Sequence, residues 1–196
     1  MRFYGINTGK RGFLLNKYGN GNLKSKINQA SKIYLFPLEA KIKTRNITKK
    51  LIAINEVSVF RQSKQSTQLQ VNLNKKIKIK ELVGDGILVA TPAGSTAYNL
   101  SAKGPILNLE SQYLAVTPIS PFKPRGWRGT VVSNQSKILI KNMDMKKRPV
   151  SAVADNIEIK NIKSVEIILK KNKKFILLYN KKYGLKERNL AEQSKF

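Results

Sequence analysis

The segment Lys76-Ile77-Lys78-Ile79-Lys80 alternates charge with aliphatic bulk at a period of two. Only an extended strand with one wet face and one packed face satisfies that period. Comparable short runs recur along most of the chain. Candidate strands lie at 2–7, 33–44, 51–62, 68–73, 76–81, 86–91, 113–118, 129–133, 137–141, 149–154, 157–160, 164–170 and 175–179. Asn74-Lys75, Asp155-Asn156 and Asn172-Lys173 sit between apolar runs, which is hairpin chemistry. Helical spacing shows only in 21–32, through Leu23, Ile27 and Ala30, and in the tail at 184–193. The expectation is an α+β fold dominated by one large, sandwich-like β domain over 36–178. Its core is expected to draw on Ile54, Val57, Val59, Leu88, Val89, Val116, Ile138, Ile140, Val153, Ile167 and Leu177. Residues 1–35 supply one strand and one short helix, which do not make a layer by themselves. They read as the remnant of an α/β domain whose other part is expected upstream of Met1.

Composition removes several chemistries. The 196 residues contain no His and no Cys. That excludes a disulfide scaffold, a Cys/His zinc site, a Cys or Ser–His nucleophile and any imidazole acid or base. No apolar run approaches the roughly 18 residues of a membrane span, and the N-terminus lacks the apolar core of a signal peptide. No membrane partner is expected, and a cytoplasmic location is. The 38 Lys and Arg against 11 Asp and Glu give a net charge of +27. Such a charge binds phosphate backbones non-specifically. The lysines, however, are spread over nearly every segment and accompany 20 Ile and 18 Asn. They read as strand outer faces and general bias, so no specific nucleic-acid partner is expected.

Acids are scarce, and two stand out: one interrupts an apolar strand run and one lies between two strands. Glu56 follows Asn55 inside an apolar run, and a carboxylate beside an amide can grip vicinal hydroxyls by paired hydrogen bonds. An outward-facing polar pair is the plainer alternative. Asp85 lies between Gly84 and Gly86, where a turn residue would also fit. It leads into Ile87–Thr91, Pro92-Ala93-Gly94-Ser95 and a helical stretch with Thr96, Ala97, Tyr98, Asn99, Leu100 and Ser101. Strand, small-residue turn and helix start expose N–H groups and allow close backbone approach, which suits a polar or anionic ligand. Tyr98 adds a flat face for a base or ribose. The Gly-Lys-Ser/Thr ending of a Walker A loop is absent.

Five ordered segments together resemble the bacterial ATP/polyphosphate-type NAD kinase family. Gly5-Ile6-Asn7-Thr8-Gly9-Lys10-Arg11-Gly12-Phe13-Leu14 resembles its GxNxGxxGFL element, and Asn55-Glu56 its NE motif. Gly84–Ser101 resembles GDG…TPxGSTAYxxS, and Thr117-Pro118-Ile119 a later TPI segment. Asp155-Asn156 falls where the family carries a second short acidic turn, with Asn156 in place of a common imidazole. The resemblance implies phosphoryl transfer from ATP to the 2′-hydroxyl of the adenosine ribose of NAD. It implies an NAD site made by Asn55, Glu56, Asp85, Thr96, Ala97, Tyr98, Asn99, Leu100, Ser101, Thr117 and Asn156, with Phe13 by the entry. Asn55 and Glu56 would serve the ribose and phosphate region, Asp85 the nicotinamide end, and the Thr96–Ser101 stretch the adenine. It also implies Mg²⁺ or another divalent cation carried by ATP, a homo-oligomer (dimer or tetramer), and a tail, 179–196, that returns to the α/β part.

The family's general-base aspartate lies in a GGDG segment upstream of GxNxGxxGFL, which these residues do not contain. No catalytic residue is therefore assigned within the chain, and the isolated chain is expected to be inactive or nearly so. Two other readings stay open: a non-catalytic dinucleotide-binding and oligomerisation module, and a basic nucleic-acid-binding protein.

Overall fold

The computed structural model describes residues 1–9, 12 and 14–180. The expected helix at 184–193, the tail beyond 180 and Phe13 lie outside the described residues. Two six-stranded sheets dominate. The first runs in the order Thr130–Ser133, Tyr113–Ile119, Gly86–Ala90, Glu56–Arg61, Val150–Ala154, Ile157–Ile159. The second runs Thr48–Ala53, Leu38–Lys43, Ser164–Leu169, Ile138–Asn142, Thr67–Leu73, Lys76–Gly84. All neighbours within both are antiparallel. The expected β-rich, sandwich-like fold is the one found.

One apolar cluster joins the inner faces. Val57, Val59, Ile87, Val89, Val116 and Ala152 from the first sheet pack with Leu38, Ile42, Leu69, Ile138, Ile140 and Ile167 from the second. This is the aligned-sandwich solution, in which each strand gives alternate residues to a shared core. Four residues expected in that core lie outside it: Leu88 packs on the other face of its sheet, Leu177 is in a separate three-stranded sheet, and Ile54 and Val153 are only half-buried. Ile54 sits in a corner between strands, and Val153 is on the opposite face from Ala152 and Ala154.

The breaks between strands differ from the sequence expectation in three places, the first being the run 2–7, which is divided into Arg2–Phe3 and Ile6–Asn7 of different sheets. The run 33–44 is divided into Ser31–Leu35 and Leu38–Lys43 at Phe36-Pro37, because proline cannot donate to a ladder. The run 51–62 is divided into Thr48–Ala53 and Glu56–Arg61, which belong to different sheets. The expected helix over 21–32 is confined to Leu23–Asn28, where the Asn22 side chain accepts from the Lys24 and Ser25 amides at 2.9 and 3.4 Å.

A three-stranded sheet lies apart from the sandwich. Phe175–Tyr179 is central, parallel to Arg2–Phe3 and antiparallel to Ser31–Leu35. Buried Asn16 ties the glycine-rich segment to it, donating to the Gly5 and Leu178 carbonyls at 3.0 Å and accepting from the Asn180 amide at 2.8 Å. The chain thus leaves the three-stranded sheet, builds the sandwich and returns.

Candidate dinucleotide site

The register of the first sheet decides which side chains can meet a ligand. Glu56 pairs with Ala90, Ser58 with Leu88, and Phe60 with Gly86. Leu88 pairs in turn with Thr117, and Ala90 with Ala115. Val57, Val59, Ile87 and Val89 point into the sandwich, so this other set lines the outer face. That face is not left wet. Leu88, Ala90, Ala115 and Ile119 form a second apolar cluster with Leu107, and Phe60 and Ala102 pack against it. The cover is the segment after Thr91: a 3-10 turn at Gly94–Thr96 and a short helix at Tyr98–Ser101.

Small residues let this cover come close. A Cβ on Gly94 would lie 2.2 Å from the Asn55 carbonyl oxygen, so the turn rests directly on the Asn55-Glu56 corner. Thr91 locks the junction: its hydroxyl donates to the Ile54 carbonyl at 2.7 Å and accepts from the Gly94 amide at 3.1 Å. Ser95 is fully buried and bonds to the Pro92 carbonyl and the Leu107 amide. Asn99, also fully buried, donates to the Ser95 and Pro105 carbonyls and accepts from the Thr117 hydroxyl at 2.7 Å. The Asn99 and Thr117 side chains are therefore turned to each other beneath the cover.

Tyr98 is 39% exposed, and its phenol is raised above the usual tyrosine range by burial and by the carboxylates of Asp85 and Glu56. It thus feels two acids that stand at opposite ends of one strand pair. Glu56 lies beside Ala90, whereas the Asp85 carbonyl accepts from the Arg61 amide at 3.0 Å. Five residues of strand separate those ends by about 16 Å. Arg61 Nε donates to Asp85 Oδ1 at 2.6 Å, and Arg61 Nη1 to the Ser63 carbonyl at 2.8 Å. Glu56 is pushed up to about 7 by burial and by the nearby Asp155 carboxylate. Its Oε2 is buried and has no hydrogen-bond partner among the described residues, and the same holds for Ser151 Oγ on the same face.

Thr96, Ala97 and Leu100 are half-buried around the turn, while Ser101 is exposed at the helix end. Asn156 is exposed at the tip of the turn that carries Asp155. Asp155 itself, marked in the sequence as part of a hairpin turn and of a segment resembling the family's second acidic turn, makes three bonds into the corner. Its carboxylate accepts from the backbone amides of Ile54 at 2.7 Å, Asn55 at 2.9 Å and Glu56 at 3.2 Å. Arg61 was not a candidate either; a single arginine facing a strand end gives no spacing signal. A separate cleft of about 200 Å³ opens between Ser31–Leu35 and the Thr91-Pro92 junction, lined among others by Tyr34, Phe36 and Tyr113. It contains neither Glu56 nor Asp85.

Residues 54–179 match the model of the ATP-NAD kinase C-terminal domain. The chain belongs to the NAD kinase family. An NAD kinase of Caulobacter vibrioides is 44% identical over 191 residues, 97% of this chain and 74% of that protein. One from Mesorhizobium japonicum is 42% identical over 196 residues, 100% of this chain and 76% of that protein. The chain thus spans about three quarters of the length of these relatives. The fold matches a yeast NADH kinase crystallised with NADH, at a TM-score of 0.84 and 24% identity, over 100% of this chain and 59% of that one. It also matches an Archaeoglobus fulgidus NAD kinase crystallised with ATP, at a TM-score of 0.78 and 23% identity, over 98% of this chain and 73% of that one. No helix among the described residues is long and apolar enough to cross a membrane.

Proposed function

We propose that this family member binds NAD along the strand pair that carries Glu56 at one end and Asp85 at the other, and serves ATP-dependent phosphorylation of the 2′-hydroxyl of its adenosine ribose, giving NADP. The observation that carries this reading is the Glu56 carboxylate, whose buried Oε2 has no hydrogen-bond partner among the described residues, at one end of a strand pair whose other end holds Asp85. An aromatic face between two hydrogen-bonding ends suits a ligand with a flat base and two riboses. Glu56 receives the ribose hydroxyls: its buried, unpartnered Oε2 is an acceptor that a hydroxyl would satisfy. Asn55 adds an amide beside it. Thr96, Ala97, Tyr98, Leu100 and Ser101 line the adenine side, with Asn99 and Thr117 holding that wall from behind. Asp85, braced by Arg61, meets the far end, and Asn156 borders the ribose end.

Phosphoryl transfer depends chiefly on positioning and electrostatics. Asp85 is committed to an ion pair and Glu56 to the ribose. The family resemblance places the proton acceptor in a GGDG segment that the 196 residues do not contain. Among the described residues no three acids, histidines or cysteines group closely enough to hold a metal. Mg²⁺, or another divalent cation, is read as arriving on the ATP phosphates. The resemblance also implies a homo-oligomer, dimer or tetramer, whose second copy completes the site.

The test is direct. NAD should raise the melting temperature of the chain in a concentration-dependent way, and Tyr98→Ala should abolish that rise. NADP formation from ATP and NAD by the chain alone should be about 10²–10⁴ slower than by a protein that also carries a GGDG segment. A chain that NAD does not stabilise, but that single-stranded DNA retains on a salt-dependent column, would refute the reading in favour of a nucleic-acid binder.

A further inference from the structure

The Asn55-Glu56 corner is an unusual place for a chain to turn. It is where the polypeptide leaves the second sheet and enters the first, between Thr48–Ala53 and Glu56–Arg61. Three successive amides, those of Ile54, Asn55 and Glu56, would be left without ladder partners by such a crossing. Unpaired buried amides are costly, so something must accept from them. One side chain does so for all three, from about a hundred residues away. Asp155 Oδ2 accepts from Ile54 and Asp155 Oδ1 from both Asn55 and Glu56. The bond is reciprocal, because the Asp155 amide donates to the Glu56 carbonyl at 3.1 Å.

Asp155 is itself held in an uncommon conformation. Its φ is +50°, in the left-handed region that Asp and Asn tolerate better than most residues. The turn therefore presents the carboxylate inward while Asn156 stays exposed. On the other side, the Gly94 turn rests on the Asn55 carbonyl and the Thr91 hydroxyl on that of Ile54. The corner is clamped from both directions.

We propose that Asp155 is a positioning residue for the dinucleotide site: by accepting from three successive amides, its carboxylate holds the Asn55-Glu56 corner in the shape that presents Glu56 to the ribose. This rests on the assignment of Glu56 to the ribose. The titratable groups whose charges couple to Glu56 are Asp155, from the turn, and Tyr98, from the short helix of the cover. The segment from Thr91 to Ser95 presents no ionisable side chain to it. Replacing Asp155 by Asn keeps an oxygen for Asn55 and Glu56 but turns an NH₂ toward the Ile54 amide, a donor against a donor. It also removes the charge that opposes ionisation of Glu56.

Two measurements on the parent chain and Asp155→Asn test this. The first follows the Glu56 carboxyl carbon by NMR across pH, without ligand. Its midpoint should move to lower pH in the variant; an unmoved midpoint would mean that Asp155 does not stand at the corner and overturns the proposal. The second is the NAD dissociation constant against pH. Affinity should rise with pH as Glu56 ionises and can accept from both ribose hydroxyls. In the variant that rise should come at lower pH, and the plateau should be about tenfold weaker because the corner has lost a charge-assisted acceptor. A plateau unchanged within twofold also overturns the proposal. If the parent does not bind NAD at all, the ribose assignment fails, and the carboxyl titration alone then decides whether Asp155 stands at the corner. Should Asp155→Asn not fold, amide exchange of the parent decides instead. Ile54, Asn55 and Glu56 must be protected near neutral pH and open together on acidification; early exchange of all three near neutrality refutes the clamp.

Discussion

The two six-stranded sheets face the same core with the same number of strands, yet their outer faces have opposite characters. In the second sheet the strands alternate: Leu38–Lys43 reads buried, half-buried, buried, exposed, buried, exposed. Its outer face carries Lys41, Lys43, Lys50 and Lys141, all exposed. In the first sheet Gly86–Ala90 is buried at every position, and Tyr113–Ile119 at all but its first. Antiparallel sheets need bury only one face. A sheet that hides both has recruited a cover, and here the cover is the segment that carries Tyr98 and rests on Glu56. The functional face of the sandwich is thus marked by the absence of lysines and of alternation. The largest consequences of mutation should follow that division.

Gly94→Ala should have the largest effect. The added Cβ would meet the Asn55 carbonyl at 2.2 Å, with backbone on both sides of the contact. Relief requires lifting the cover off the corner, at a cost of about 3 kcal/mol, the upper end of ordinary overpacking. NAD affinity should fall with it. Gly126→Ala provides the contrast: no atom lies within 4 Å of its Cβ, and only its φ of +74° opposes the change, for about 1 kcal/mol. Denaturant melts of both variants check the order, and equal losses would break the comparison.

A buried hydroxyl in each sheet sharpens it. Thr117→Val strips the donor from Asn99 Oδ1 inside the cover, leaving a fully buried amide oxygen unsatisfied. The expected loss is about 1–3 kcal/mol, with weaker NAD binding because Asn99 anchors the Tyr98 helix. Thr67→Val in the second sheet removes a hydroxyl that donates to the Gly84 carbonyl at 3.0 Å. That carbonyl belongs to a strand already in the ladder, so the loss should be smaller and NAD affinity unchanged. Calorimetric titration separates the two, and a comparable loss of affinity in both would contradict the division of labour.

Much of this was legible beforehand. The period-two runs gave the β-rich class, and Val57, Val59, Val89, Val116, Ile138, Ile140 and Ile167 lie in the core where alternation put them, whereas Leu88 and Val153 fall on the opposite face. Asn55 and Glu56 were visible as a polar interruption of an apolar run, Asp85 as an acid between two strands, and Tyr98 as an aromatic beside a small-residue turn. The corner at 54–55 was not legible, because Leu51–Arg61 reads as one apolar run. What breaks it is a carboxylate about a hundred residues downstream, and no local pattern reports such a bond. Asn99 and Thr117 illustrate the converse: both stand in the right motifs, but only the structure shows their polar atoms spent on each other.

Glu56→Gln should have a smaller, pH-dependent effect. The folded carboxyl titrates at about 7, above its ordinary value of 4.5. Its contribution to stability is therefore fully present below the unfolded value and is lost as pH rises through that window, where the unfolded chain ionises first. Glutamine carries no such loss. The variant should match the parent below about pH 4.5 and gain on it up to about pH 7, by on the order of 1 kcal/mol once partial exposure to solvent is allowed for. Thermal melts across pH measure the gap. A gap that narrows as pH rises would mean that Glu56 is stabilised by its charge, contrary to a buried acceptor awaiting a ligand.

The smallest effect should come from the lysine face. Lys43 and Lys141 both pair across Ser164, so they stand two strand spacings apart, about 10 Å. Neither has a carboxylate partner among the described residues. At that distance in water two like charges repel by about 0.4 kcal/mol, and salt near 0.1 M screens most of it. Lys43→Gln with Lys141→Gln should therefore raise stability by a few tenths of a kcal/mol at low ionic strength. The gain should vanish at high salt, with NAD affinity unchanged. The physical reason is the one that separates the sheets. On the second sheet a charge is dissolved in water and its neighbours hardly feel it. On the first, burial makes Glu56 respond to Asp155 and Tyr98 respond to Glu56. A loss of more than about 1 kcal/mol would show that the lysine stems are packed against apolar surface. The face would then be a structural surface like its opposite rather than a solvated one.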